Sequence, residues 1–292
     1  MTDTKNSQTT QKISYVLEDN LTIVGDAWGS PENRAVLLVH GGGQTRYSWG
    51  NTALQLTDQG WYSIAIDLRG HGNSDWHPRG DYRIDAFAED LRVIASTFDQ
   101  PPVLVGASLG GLSGLIAEGE SDLPVFSSII LVDVAHRHEN EGAERIISFM
   151  GKHMEIGFSD LEEAVEAIAS YIPHRSRPAD LETLEKNLWL GSDGRYYWHW
   201  DPKFLIHANE IRRRKNFKRF TDAGLSLRIP TLLVRGHMSD VISKEVAMEF
   251  LKLVPHAKFA DVQGAGHMIS GDRNDAFSES IIKFLRDLKE SP

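Results

Sequence analysis

The apolar run Pro102-Val-Leu-Val105 leads straight into Gly106-Ala-Ser108-Leu-Gly-Gly111, and the chain then continues through Leu112, Leu115 and Ile116 at helical spacing. A strand that turns at once into a helix through glycines needs close contact between the two, as in a parallel sheet covered by helices. A Gly-x-Ser-x-Gly turn at that place sets the serine on strained backbone, with its hydroxyl in the open and neighbouring amides aimed at an incoming group. Short glycine motifs also arise as plain tight turns or phosphate loops, so context has to decide. The glycines at this turn lack the Gly-x-Gly-x-x-Gly spacing of a dinucleotide site.

Context supports an α/β chain. Runs rich in Val, Ile and Leu recur at 13–17, 21–27, 35–39, 62–67, 103–105, 129–134, 231–234 and 257–262. Their near-continuous apolar character is that of strands buried on both faces, and eight of them predict an eight-stranded, mostly parallel sheet with helices on both faces. The first two, separated by Asp19-Asn20, read as a hairpin that adds an antiparallel edge. Helical periodicity links Ile84, Phe87, Leu91, Ile94 and Phe98, and again Phe277, Ile281, Phe284, Leu285 and Leu288.

The alternation stops between about 135 and 227, where no strand run is found and short helical pieces are separated by Gly, Pro and aromatic residues. One piece starts on a capping box, Ser159 with Glu162 three residues on, and carries Leu161, Ala164, Val165 and Ile168 on one face. The expected organisation is a polar, disordered tail at 1–11, a core made of 12–134 and 228–292, and a helical cap at 135–227 inserted after the sixth strand. Ligands of open α/β sheets sit beyond the carboxyl ends of the strands, so that cap is expected to roof the site.

The remaining classes are narrowed by composition. The 292 residues allow one large domain with an insertion, and a net charge of -10 speaks against nucleic acid or an anionic membrane as the main partner. With no cysteine there is no disulfide, thiolate metal site or cysteine nucleophile. Mean hydropathy is -0.31, no run of eighteen apolar residues occurs, and Met1 to Lys12 lacks an apolar signal region, so a cytoplasmic protein is expected.

A serine hydroxyl attacks only when a base takes its proton and a carboxylate holds that base. His267, in Gly264-Ala-Gly-His-Met268 after the last strand, is the expected base. Two carboxylates qualify as its partner. Asp240, in the open loop Arg235-Gly-His-Met-Ser-Asp240 after the seventh strand, is the expected acid, with Asp133 at the tip of the sixth strand as the alternate. His40-Gly-Gly-Gly-Gln44 after the third strand is a loop of the type that gives one amide of an oxyanion hole. Gly42 is the expected donor there, Gly43 the next choice, and Leu109 gives the second amide.

These pieces resemble the α/β-hydrolase family over nearly the whole chain outside the tail and cap. The matching residues are His40-Gly41, Asp67-Leu-Arg-Gly-His-Gly72 with Asn73-Ser74, Gly106-Ala-Ser-Leu-Gly110, Ser239-Asp240 and Gly266-His267. Within that family the chain is similar to the epoxide-hydrolase-like and cofactor-free haloperoxidase-like branch. True epoxide hydrolases and haloalkane dehalogenases place an aspartate where this chain has Ser108, so the resemblance implies acyl transfer rather than an alkyl-enzyme route. Arg69 and His71 are expected to pin loops.

The expected function is hydrolysis of a carboxylic ester, lactone or related acyl compound, with no cofactor and no metal, by a monomer or homodimer that binds a small acyl substrate. A perhydrolase, haloperoxidase or cofactor-independent oxygenase on the same scaffold, and a hydrolase-like receptor with little turnover, are the alternatives. His40, Trp49, Trp198, Trp200 and Met268 are the candidate pocket residues, the two cap tryptophans with a competing role as core. The basic run Arg212-Arg-Arg-Lys215 with Lys218 and Arg219 reads as a solvated helix face.

Overall fold

The computed structural model describes residues 10–171, 184–211, 216–267 and 274–290. Met268, the run 212–215 and positions 1–9 of the expected tail lie outside them. All eight expected strands are present and form one sheet. They are β1 (Gln11–Val16), β2 (Thr22–Trp28), β3 (Ala35–Val39), β4 (Tyr62–Ile66), β5 (Val103–Ala107), β6 (Ser128–Val132), β9 (Thr231–Gly236) and β10 (Lys258–Val262), in the order β1-β2-β4-β3-β5-β6-β9-β10. Gln11, assigned to the tail from sequence, is the first residue of β1 and pairs with Ala27. β1 and β2 are antiparallel around Asn20, at φ 62°, β2 is antiparallel to β4, and every later pairing is parallel.

Because side chains alternate across a strand, each apolar run feeds both faces. Leu37, Val39, Leu104 and Leu131 pack on one side with Phe87, Leu91 and Leu115 from α2 (Ile84–Ala95) and α3 (Leu109–Gly119). Val36, Leu38, Val105 and Val132 pack on the other with Leu56 of α1 (Gly50–Asp58), Trp49, and Ile281 and Leu285 of the C-terminal helix Ser278–Glu290. Both faces are covered, so the middle strands have no polar side and need none.

The segment between β6 and β9 holds α4 (Asn140–Lys152), α5 (Leu161–Tyr171) and two further helices, Phe204–Ile211 and Phe217–Ser226. It also contains a two-stranded antiparallel sheet, β7 (Leu188–Leu190) with β8 (Tyr196–Trp198), where no strand was expected. Its sequence signal is Asp193-Gly194, a hairpin turn with Gly194 at φ 79°. The strands it joins are only three residues long, too short to show alternation. The capping box at α5 is shifted by one residue: Asp160 accepts from the Glu163 amide at 2.9 Å, and the Glu163 carboxylate reaches back to the Ser159 amide. Among the described residues no helix is long and apolar enough to cross a membrane.

Candidate active site

Parallel register brings the site together. Ala107 is paired with Val132 and Val132 with Val234, so the next residues, Ser108 and Asp133, leave adjacent strands at the same level of the sheet. Both take left-handed backbone, Ser108 at φ 45°, ψ -112° and Asp133 at φ 50°. For non-glycine residues this conformation costs about 1–3 kcal/mol and persists only where neighbours impose it. Here the Ser108 amide donates to the Val132 carbonyl at 3.1 Å and the Asp133 amide to that of Val234 at 2.7 Å. The turn around Ser108 also leaves no room for side chains. A Cβ on Gly110 would lie 2.7 Å from the Val39 carbonyl oxygen, and one on Gly106 would lie 2.6 Å from the Gly111 nitrogen.

His267 arrives from the loop after β10 and its Nδ1 donates to Asp133 Oδ2 at 2.7 Å, both side chains being almost fully buried. That hydrogen bond fixes the tautomer: with the proton on Nδ1, Nε2 is left as the basic nitrogen. Asp133 Oδ1 accepts from the Gly236 amide at 2.9 Å, and Oδ2 accepts a second donor, the Ser239 hydroxyl, at 2.7 Å. Asp240, the acid favoured from sequence, is placed differently. Its carboxylate is on the surface and pairs with Arg145 of α4. The choice between the two aspartates turns on side-chain direction: Asp133 is buried beneath His267, whereas Asp240 faces outward to a cation of the inserted segment.

Ser108, Asp133 and His267 line one cavity of about 120 Å³, together with Gly42 and Leu109. The glycine loop lies against the serine, since a Cβ on Gly41 would be 3.2 Å from Ser108 Cβ. Two of its three amides are engaged: that of Gly41 donates to Gln44 Oε1 at 3.0 Å and that of Gly43 to His71 Nε2 at 3.1 Å. Gly43, the second choice as an oxyanion donor, therefore points its N–H at an imidazole instead. The Gly42 and Leu109 amides have no protein acceptor among the described residues, and both residues border the cavity.

The other expected pocket residues lie elsewhere. His40 is fully buried, donating from Nδ1 to the Gly41 carbonyl at 2.8 Å and accepting at Nε2 from the Leu68 amide at 3.0 Å. Its burial pushes it down to about 4, and the same cause, reinforced by His40, takes His71 to about 3. Two neutral imidazoles thus hold the glycine loop. Trp49 belongs to the core on the opposite face of the sheet. Trp198 packs on Phe149 and Phe158, and Trp200 on Phe204, so both are core of the inserted segment. Arg69 pairs with Asp90 and Asp19, while Lys218 and Arg219 pair with Asp222, Asp85 and Glu120.

Most of what lines the cavity is apolar. Ile146, Ile147 and Met150 of α4, Leu112 of α3, and Ile211 and Phe220 form its walls, with Phe204 beside Gly42. Sequence reading missed these positions because apolar residues at helical spacing look the same whether they face a core or a void. Arg137 and His138, from the loop after β6, are the other polar wall residues, and Arg137 is committed to Glu249 through two hydrogen bonds of 2.7 and 2.9 Å.

The family model described as alpha/beta hydrolase matches residues 36–280. Over 265 residues the chain is 28% identical to an esterase of Mycobacterium tuberculosis, covering 87% of this chain and 83% of that protein. It is 26% identical over 259 residues to a 3-hydroxybutyrate-oligomer hydrolase of Cupriavidus necator, covering 82% and 85%. In three dimensions it is similar to an alpha/beta hydrolase of Novosphingobium aromaticivorans, with a TM-score of 0.80 at 22% identity over 96% of this chain and 99% of the other.

Proposed function

The chain belongs to the alpha/beta hydrolase family, and on that premise we propose that it is a serine esterase that hydrolyses carboxylic esters through an acyl-enzyme on Ser108. The observation that carries the reading is the 2.7 Å hydrogen bond from His267 Nδ1 to the buried Asp133, with Ser108 facing the same cavity from a strained turn. The named activity of the mycobacterial esterase supports the reaction class.

In the proposed cycle His267 Nε2 takes the Ser108 proton as Oγ bonds to the ester carbonyl carbon. The resulting oxyanion accepts from the Gly42 and Leu109 amides, a reading supported by both residues lining the cavity with no protein acceptor for their N–H groups among the described residues. Collapse breaks the C–O bond, and the imidazolium returns the proton to the departing alkoxide, releasing the alcohol. Water then repeats the sequence on the acyl-enzyme and frees the acid. Asp133 holds the imidazole in position and stabilises its charged form throughout.

The test compares three variants on p-nitrophenyl butanoate, with a fluorophosphonate probe mapped by mass spectrometry. Ser108→Ala abolishes both turnover and labelling. Asp133→Asn lowers kcat by about 10⁴-fold, the size seen when a triad aspartate is neutralised. Asp240→Asn stays within about threefold, because only an exposed ion pair is lost. Turnover that survives Ser108→Ala overturns the mechanism, and a reversed order of the two aspartates overturns the assignment of the acid.

A further inference from the structure

We propose that the cavity beside Ser108 is an acyl site for short, uncharged chains of about four to six carbons, and that Glu249 enforces its neutrality by occupying Arg137; the inference rests on the esterase reading above. Size comes first. An engineered apolar cavity of about 150 Å³ accepts benzene, a six-carbon ligand, which is about 25 Å³ per carbon. At about 120 Å³ the present cavity takes roughly five. Most of its wall is apolar, since Ile146, Ile147, Met150, Leu112, Ile211 and Phe220 offer nothing to a polar group, and Arg137 and His138 are the polar wall residues away from Ser108, Asp133 and His267.

Charge comes second. Arg137 is the one Arg or Lys on the wall among the described residues, and an arginine in such a place ordinarily receives a carboxylate. Here its Nε and Nη2 already grip the two oxygens of Glu249, which stands on the helix Lys244–Leu253, and Nη1 is 3.8 Å from Glu139. An acyl chain ending in a carboxylate would enter a mostly apolar cavity whose arginine is already paired. Such a chain is excluded by Glu249 rather than by shape, because a glutarate half-ester has the length of the hexanoate it would replace.

The experiment measures kcat/KM for p-nitrophenyl acetate, butanoate, hexanoate, octanoate and decanoate, and for the p-nitrophenyl half-ester of glutaric acid. The folded parent enzyme is expected to peak at butanoate or hexanoate and to fall at least tenfold by decanoate. The charged half-ester is expected to run at least tenfold below hexanoate. Glu249→Gln, a change at a half-exposed position, narrows that ratio at least fivefold, and adding Arg137→Gln cancels the gain. A peak at acetate or decanoate, or a ratio that Glu249→Gln leaves unmoved, overturns the proposal while Ser108-dependent turnover leaves the esterase reading standing. Absence of turnover with every ester overturns both.

Discussion

The hydroxyl of Ser239 has one hydrogen and receives two. The Val241 and Ile242 amides donate to Oγ at 3.2 and 3.1 Å, so its own hydrogen is directed to Asp133 Oδ2, 2.7 Å away. Asp133 thereby gains a third donor besides the Gly236 amide and His267, and its carboxylate plane is fixed with Oδ2 under the imidazole. A hydrogen bond to a charged group contributes about 1.5–3 kcal/mol. Ser239→Ala is therefore expected to lower kcat about tenfold on p-nitrophenyl butanoate with KM unchanged, because the ground-state pocket is untouched. Ser239→Thr, which keeps the oxygen, restores most of it. Equal losses in both variants would mean that packing, not the hydroxyl, matters at this position. Nothing local in the sequence marks Ser239 for this part, since its partner is 106 positions away.

At the level of elements, the junction of β5 and α3 depends on contacts that only glycine permits. A Cβ on Gly110 would meet the Val39 and His40 carbonyl oxygens at 2.7 and 2.8 Å, and backbone atoms of β3 and the adjoining loop have no room to yield. Gly110→Ala is expected to cost about 1–3 kcal/mol in urea denaturation, as overpacking does, and to lose activity beyond that by lifting α3 from the glycine loop. Gly50→Ala provides the contrast. That residue has helical dihedrals, φ -56° and ψ -48°, with nothing within 4 Å of a new Cβ, so alanine is expected to stabilise by about 0.5–1 kcal/mol. If the two variants behaved alike, the close approach at Gly110 would have no energetic meaning. The strand ladder and the serine turn were legible from sequence because each is encoded within a few residues: an apolar run, then a glycine pattern. The carboxylate partner of His267 was not, because Asp133 and Asp240 both follow strands, and only the register across β5, β6 and β9 and the direction of each carboxylate tell them apart. Trp198 and Trp200 were ambiguous for a similar reason, since large aromatics satisfy a core and a pocket equally until the packing of the inserted segment is known.

For the whole molecule, acid is expected to act most strongly through two buried histidines outside the proposed triad. His40 and His71 are buried with ring centroids 5.2 Å apart, and each accepts a backbone N–H that ties the glycine loop to the chain after β4. Burial lowers His40 to about 4 and His71 to about 3, whereas an unfolded histidine titrates near 6.5. Between those limits the unfolded chain binds protons that the native one refuses, so stability is full above about pH 6.5 and falls as the solution is acidified towards pH 4. The slope is about 1.4 kcal/mol per pH unit for each ring, or roughly 2 kcal/mol per ring between pH 7 and pH 5. Protonation would also set the new Nε2–H of each ring against the amide it accepts from, releasing the glycine loop that lies against Ser108. His40→Gln retains an acceptor for the Leu68 amide without taking up a proton, and is expected to reduce the stability lost between those two pH values by about 2 kcal/mol. Urea unfolding of parent and variant at pH 7 and pH 5 measures the difference directly, and an identical loss in both would show that the acid sensitivity arises elsewhere in the molecule.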